Sequence, residues 1–214
     1  MIRLVLADDH AILREGLKQI LLTQGDIQIV AEAADGHEVL KRVRELDFDV
    51  LVLDMSMPGK SGVELIKQVK SEKPKLRILV LTMHEEHQYA VRAIRSGASG
   101  YLTKEGASAQ LVSAIRKVAG GGAYISAEVA EQLALNAMPG AQAALHETLS
   151  DREFQVFRLI AEGKSVSDIA ERLSLSVKTV STHKANLMQK MGMATSGELI
   201  RYALAHHLVD ESND

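Results

Sequence analysis

Five short apolar runs alternate with five helical stretches across the first 120 residues, and this alternation constrains the fold more than any other feature of the chain. The runs, rich in leucine or β-branched residues, are residues 2–7, 27–33, 50–53, 76–81 and 100–102. Between them lie residues 11–22, 36–46, 61–72, 86–96 and 107–119. In the last of these, Leu111, Ile115 and Val118 recur at i, i+4, i+7, as on one face of a helix. The runs are mostly continuous rather than alternating, as expected for strands covered on both faces. Five strand–helix units predict an α/β fold, a doubly wound parallel five-stranded sheet in the order 2-1-3-4-5 with right-handed crossovers.

The pattern changes after the glycines at 120–122. Ser126 is placed to cap a short helix ending near Asn136, and "MPGAQAALHET" then carries turn residues but no apolar period. Residues 121–146 therefore read as a linker holding one short helix. From residue 147 to 214 no strand-like run remains. Four helices are expected there, at about 151–162, 166–173, 177–191 and 195–206. Ser150 with Glu153 forms a capping box, and Gly163 stops the first helix. The acidic "DESND" end is expected to fray.

Composition removes several function classes. The chain of 214 residues has no cysteine, which excludes a disulfide framework, a thiol nucleophile and a thiolate metal site. "MIRLVLADDH" meets two acids too soon for a signal peptide, and no apolar run approaches a bilayer span, so a cytoplasmic protein without membrane contact is expected. A net charge of −3 means that any surface for a polyanion must be local.

The polar residues fall into order on this map. Asp8 and Asp9 follow the first strand, Asp54 the third, Thr82 the fourth, and Lys104 lies just beyond the fifth. All stand at the carboxyl edge, where open α/β sheets bind ligands. Strands one and three are neighbours in the expected order, so Asp8, Asp9 and Asp54 converge. Three close carboxylates repel unless a cation joins them, and an all-oxygen site with few protein ligands suits Mg²⁺. Asp54 can then offer an oxygen to a phosphoryl group, with Lys104 and the Thr82 hydroxyl taking up charge. Phosphoryl transfer demands mainly such positioning and neutralisation.

Residues 1–120 resemble the receiver domain of two-component response regulators, through "ADDH", "VLDMSMPGKSG", "LTMH" and "GYLTKE". The resemblance implies Asp54 as phosphoacceptor and Asp8, Asp9 and Asp54 as the Mg²⁺ cluster, with the Ser56 carbonyl as a further ligand. It also implies Thr82 and Tyr101 as a switch pair and Lys104 as the cation on the phosphoryl group. Pro58 and Gly62 would shape the loop around the metal. Ser56 and His84, two positions after Asp54 and Thr82, would tune phosphoryl lifetime.

A second constellation lies in "SLSVKTVSTHKANLMQKM". On a helical wheel Val180, Leu187 and Met191 share one side, flanked by His183 and the Lys184 stem. Lys178, Ser181, Thr182, Ala185 and Gln189 share the other. That second face is small or polar and holds no acid, as entry into a major groove requires. With the preceding helix and the "SLS" turn it forms a helix-turn-helix. The segment from Glu147 onward has 8 Lys or Arg against 10 Asp or Glu, so the basic stripe is local.

"LSDREFQVFRLIAEGKSVSDIAERLSLSVKTVSTHKANLMQKMG" resembles the LuxR-type DNA-binding domain of NarL/FixJ-family regulators. The resemblance implies Lys178, Thr179 and Lys184 near phosphates and Ser181, Thr182 and Ala185 facing base edges. Several family members carry a basic residue in place of Ser181, so fewer strong base contacts are expected here. The implied function is a DNA-binding response regulator, phosphorylated at Asp54 by a cognate sensor histidine kinase. Phosphorylation would control homodimerisation and binding to double-stranded promoter DNA, with the linker long enough to let the recognition helix pack against the receiver beforehand. The fifth and last expected helices are candidate dimer surfaces, the first an alternative. The only chemistry expected is self-catalysed phosphotransfer and dephosphorylation. An aspartyl-phosphate phosphatase of the haloacid-dehalogenase type would carry a second Asp two positions after the nucleophile, where this chain has Ser56. A ligand-sensing LuxR-type regulator would have no need of the acidic cluster with Lys104. "HEEH" at 84–87 lacks the i, i+4 spacing of a helical metal-binding His pair. His206–His207 reads as a solvated helix end, and the methionines as packing residues.

Overall fold

A computed structural model describes residues 1–57, 62–83, 87–136, 144–206 and 208–209, and its chain forms two compact units, Met1–Ala141 and Gln142–Asp214. Pro58, His84, His207 and the acidic end at 210–214 lie outside the described residues.

In the first unit β1 (Ile2–Ala7), β2 (Ile27–Ala33), β3 (Val50–Asp54), β4 (Arg77–Thr82) and β5 (Gly100–Thr103) form one parallel sheet in the order β2-β1-β3-β4-β5. The helices between and after them are α1 (Ala11–Leu22), α2 (Gly36–Glu45), α3 (Gly62–Glu72), α4 (His87–Arg95) and α5 (Ala107–Ala119).

The period-two geometry of a strand explains the two cores. Leu4, Leu6, Val50, Val52, Leu79 and Leu81 point to the face that α1 and α5 cover with Leu17, Leu21, Leu111, Ala114 and Ile115. Their neighbours Val5, Ala7, Leu51, Leu53, Ile78 and Val80 point to the opposite face, against Val39, Val43, Leu65, Ile66 and Ala93 of α2, α3 and α4. Truncating any of these fully buried leucines to alanine is expected to cost about 2–5 kcal/mol. The central strand β3 is buried at every position, including Asp54.

The helix expected inside a linker, α6 (Ala127–Asn136), belongs to the first unit. Val129 packs with Ala90 and Val91 of α4, and Tyr101, Ile125 and Leu133 lie partly buried around them. The approach to it is pinned to the sheet: Tyr101 N donates to Tyr124 O at 2.8 Å, and Gly100 bridges Tyr124.

In the second unit, a short 3-10 turn (Leu145–Thr148) precedes α7 (Asp151–Ala161), α8 (Val166–Arg172), α9 (Val177–Met191) and α10 (Ser196–Ala205). Capping boxes start α7, α8 and α10, and Ser176 caps α9. Gly163 and Gly192 end α7 and α9 with φ of +78° and +65°, where a Cβ would be strained. Phe154, Phe157, Ile169, Val180, Leu187 and Leu199 are buried.

Candidate functional site

The parallel sheet delivers its strand ends to one edge. Asp54 is the last residue of β3 and Thr82 the last of β4, and both are fully buried. Asp8 extends β1 by one residue, its amide donating to Ala33 O at 3.1 Å, and is also fully buried. Asp9 is exposed beside it. Lys104 follows β5 directly, and its amide donates to Thr82 O at 2.7 Å, which fixes the root of the side chain on β4. From there Nζ reaches Asp54 Oδ2 at 2.9 Å and Asp8 Oδ2 at 2.8 Å. Ser56 lies in the turn after β3, and its amide donates to Asp54 Oδ1 at 3.1 Å. The register pairs Tyr101 with Val80, two residues before Thr82, and Tyr101 packs against both α4 and α6.

Charge balance follows from this geometry. One buried ammonium faces two fully buried carboxylates, with Asp9 at the rim. Burial pushes the Asp54 carboxyl above its ordinary pKa although Lys104 pulls it back. Burial alone would lower the Lys104 pKa, but Asp8 and Asp54 outweigh it and hold the ammonium above its usual value.

Ligand atoms from Asp8, Asp9, His10 and Asp54 lie within 4.8 Å of one another. Among the described residues no hydrogen-bond donor is directed at the buried Asp8 Oδ2, its approach to Lys104 being a charge contact. A cluster of carboxylate oxygens with an open buried lone pair fits a hard divalent cation such as Mg²⁺. His10 joins this cluster although the pattern of the sequence does not single it out. Its amide donates to Asp8 Oδ1 at 2.7 Å, and its Nδ1 stands 2.9 Å from Asp9 Oδ1. The only sequence clue was its place directly after the acidic pair in "ADDH".

In the second unit α8, a turn and α9 make a helix-turn-helix. Ser174 in the turn has φ +53°, a left-handed conformation that non-glycine residues adopt at a cost of about 1 kcal/mol. Val180, Leu187 and Met191 face the core of this unit, as the wheel predicts, while Lys178, Ser181, Thr182, Ala185 and Gln189 are exposed. The Ser181 and Thr182 hydroxyls donate to the carbonyls of Val177 and Lys178 one turn back, at 2.8 and 3.0 Å. They thus present lone pairs outward. The Thr179 amide and hydroxyl are both engaged by Ser176 Oγ in the helix cap. Lys178 and the half-buried Lys184 remain on the helix flanks, whereas Lys190 pairs with Glu153 of α7 at 2.7 Å. Val177, 52% exposed one turn before Ser181, adds an apolar group that the wheel did not include.

Residues 4–116 match the response regulator receiver domain, and residues 147–203 match the bacterial regulatory proteins of the luxR family. The chain is 38% identical to the oxygen regulatory protein NreC of Staphylococcus carnosus, over 97% of this chain and 99% of that protein. Among solved structures it is similar to RcsB from Salmonella enterica serovar Typhimurium bound to promoter DNA in the presence of phosphomimetic BeF₃⁻. The identity is 30% and the TM-score 0.60, covering 95% of this chain and 98% of the other. An RcsB structure with two dimers bound to two parallel DNAs is 30% identical with a TM-score of 0.58, at the same coverage.

Proposed function

The chain belongs to the NarL/FixJ family of response regulators, which join a receiver domain to a LuxR-type DNA-binding domain, and from that membership we propose that Asp54 accepts a phosphoryl group from a sensor histidine kinase to control promoter binding. The observation that carries this reading is the shared contact of Lys104 with Asp54 and Asp8 at the end of the sheet.

Asp54 Oδ1 is the attacking atom, since Oδ2 is already turned to Lys104. The Ser56 amide holds Oδ1 in place, and the buried walls of β3 and β4 exclude bulk water from its rear. Lys104, fixed at its backbone and shared between Asp54 and Asp8, places an ammonium beside the incoming phosphoryl oxygens. Thr82 offers a hydroxyl on the neighbouring strand end. Asp8, Asp9 and Asp54, with the Ser56 carbonyl, would hold Mg²⁺, which supplies charge neutralisation to the phosphoryl oxygens. With Ser56 two positions after Asp54 there is no acid at that place to drive turnover of an external phosphoester. The chemistry is phosphotransfer onto this chain and its later hydrolysis.

The output is transcriptional control in the cytoplasm. A dianion at Asp54 draws Thr82 inward and lets Tyr101 rotate. Tyr101 packs on α4 and α6, so its movement alters the receiver surface and the start of the connection toward the second unit. In that unit Lys178, Thr179 and Lys184 lie near phosphates, while Ser181, Thr182 and Ala185 face base edges. A single such face is small and weakly basic, so two copies on a near-palindromic site supply the affinity. The dimers bound to DNA in the RcsB structure support this.

Light-scattering mass and promoter affinity, measured together with and without beryllofluoride, test the reading. A dimeric mass and tighter binding are expected with beryllofluoride. A monomeric mass alongside tighter binding would contradict the dimer switch.

A further inference from the structure

We propose that Arg14 is a positioning residue for divalent-metal binding at the carboxylate edge, an inference that rests on the reading of Asp8, Asp9 and Asp54 as a Mg²⁺ site. Beyond Ala7, the last residue of β1 paired with β2, the sheet supplies the Asp8 amide with a partner, Ala33 O. The Asp8 carbonyl is instead held from α1, where Arg14 Nη1 donates to it at 2.5 Å. That carbonyl belongs to the peptide joining the two carboxylate residues. Its orientation sets the path of the chain from Asp8 into Asp9, and so the directions in which both side chains leave the backbone.

The brace is itself anchored. Arg14 Nε donates to Glu32 Oε2 of β2 at 2.8 Å, and Lys18 Nζ meets the other oxygen, Glu32 Oε1, at 2.8 Å. The hydrogen bond from Lys18, then burial working against it and the Arg14 hydrogen bond, leave Glu32 below the ordinary carboxylate pKa, so it is charged at neutral pH. Glu32 thereby occupies one edge of the guanidinium and leaves the other to the Asp8 carbonyl. A planar fork can hold two acceptors in fixed directions; an ammonium cannot. Arg14 lies in the first turn of α1, its amide donating to His10 O at 2.9 Å in the first hydrogen bond of that helix, so the root of its side chain is fixed.

Mn²⁺ binding to the full chain, followed by loss of the free-ion paramagnetic resonance signal, tests the inference without reference to phosphorylation. The wild type, Arg14→Gln, Glu32→Ala and Asp8→Asn are titrated, with thermal midpoints recorded in EDTA. Arg14→Gln is expected to weaken Mn²⁺ binding by about tenfold, as loss of an outer partner of metal ligands does, while keeping its midpoint in EDTA close to wild type. Glu32→Ala is expected to weaken it in the same direction and less, and it decides the matter should Arg14→Gln fail to fold. Wild-type affinity in a folded Arg14→Gln, or in Glu32→Ala where that variant decides, would overturn the inference. A wild-type chain that leaves the free-ion signal intact would overturn the metal site itself and the inference with it.

Discussion

Lys104 and Asp54 are fifty residues apart in the chain, yet Nζ and Oδ2 stand 2.9 Å apart, with the lysine side chain 5% exposed and the aspartate fully buried. Neither residue has freedom to relax away, because Asp54 ends a strand buried on both faces and Lys104 is tied through its own amide to Thr82 O. The same ammonium serves Asp8, so the buried centre holds one positive charge against two negative ones. A site left one charge short can take a further cation, and is destabilised without one. Its stability and its chemistry are therefore linked.

Replacing Asp54 with Asn should make the difference in stability between variant and wild type grow in the variant's favour as pH rises. The folded Asp54 pKa is raised by burial above the reference of 3.8. Its contribution is thus fully present below that reference and is lost as pH rises through the higher folded pKa. The variant has no such loss. Urea unfolding in EDTA at acid and neutral pH measures this, and a difference that shrinks on raising pH would mean the folded pKa lies below the reference.

Removing the cation acts in the opposite direction. Lys104→Ala leaves two buried carboxylates unopposed and is expected to cost about 3 kcal/mol, the low end for breaking a buried pair, because Asp9 and Ser56 keep the rim exposed. Urea unfolding checks the loss. Adding Mg²⁺ should recover more stability in this variant than in wild type; equal recovery would separate the lysine from the metal site.

The lysines of α9 should divide by their partners. Lys178→Ala and Lys184→Ala are expected to lower the salt dependence of DNA binding by about one counterion each and to weaken all sequences alike. Lys190→Ala should leave that slope nearly unchanged, since its charge is already engaged by Glu153. Thr182→Ala should shift preference among sites. Fluorescence anisotropy across a salt series reads all four, and a fall in slope for Lys190→Ala alone would place the phosphate contacts elsewhere on the helix.

Glu153 joins two tasks, capping the start of α7 at Ser150 and pairing with Lys190 at the end of α9. Glu153→Ala is expected to destabilise the DNA-binding unit by about 2 kcal/mol, from a lost cap and a partly exposed ion pair. Differential scanning calorimetry should show a lowered transition, and an unchanged one would remove Glu153 as the tie between these helices.

The legible parts of the molecule were those written in local pattern. Continuous apolar runs marked strands covered on both faces, and their carboxyl ends placed Asp8, Asp54, Thr82 and Lys104 on one edge before any contact was visible. The wheel of α9 separated Val180, Leu187 and Met191 from the exposed face for the same reason, since helical period alone decides it. What local pattern does not carry is the partner across space. Ile125, Val129 and Leu133 form a stripe at i, i+4, i+8, but nothing in that stripe names α4 as the surface it covers. The bonds from Arg14 to Asp8 and Glu32, and from Lys190 to Glu153, join charged residues that read singly as solvated surface.

The central claim is that Asp54 is the phosphoacceptor, and site mapping after treatment with acetyl phosphate and Mg²⁺ tests it most directly. The account predicts a base-labile phosphoryl group on the peptide containing Asp54, absent in Asp54→Asn and strongly reduced in Lys104→Ala. A phosphoryl group mapped to another residue, or retained in full by Asp54→Asn, would contradict it.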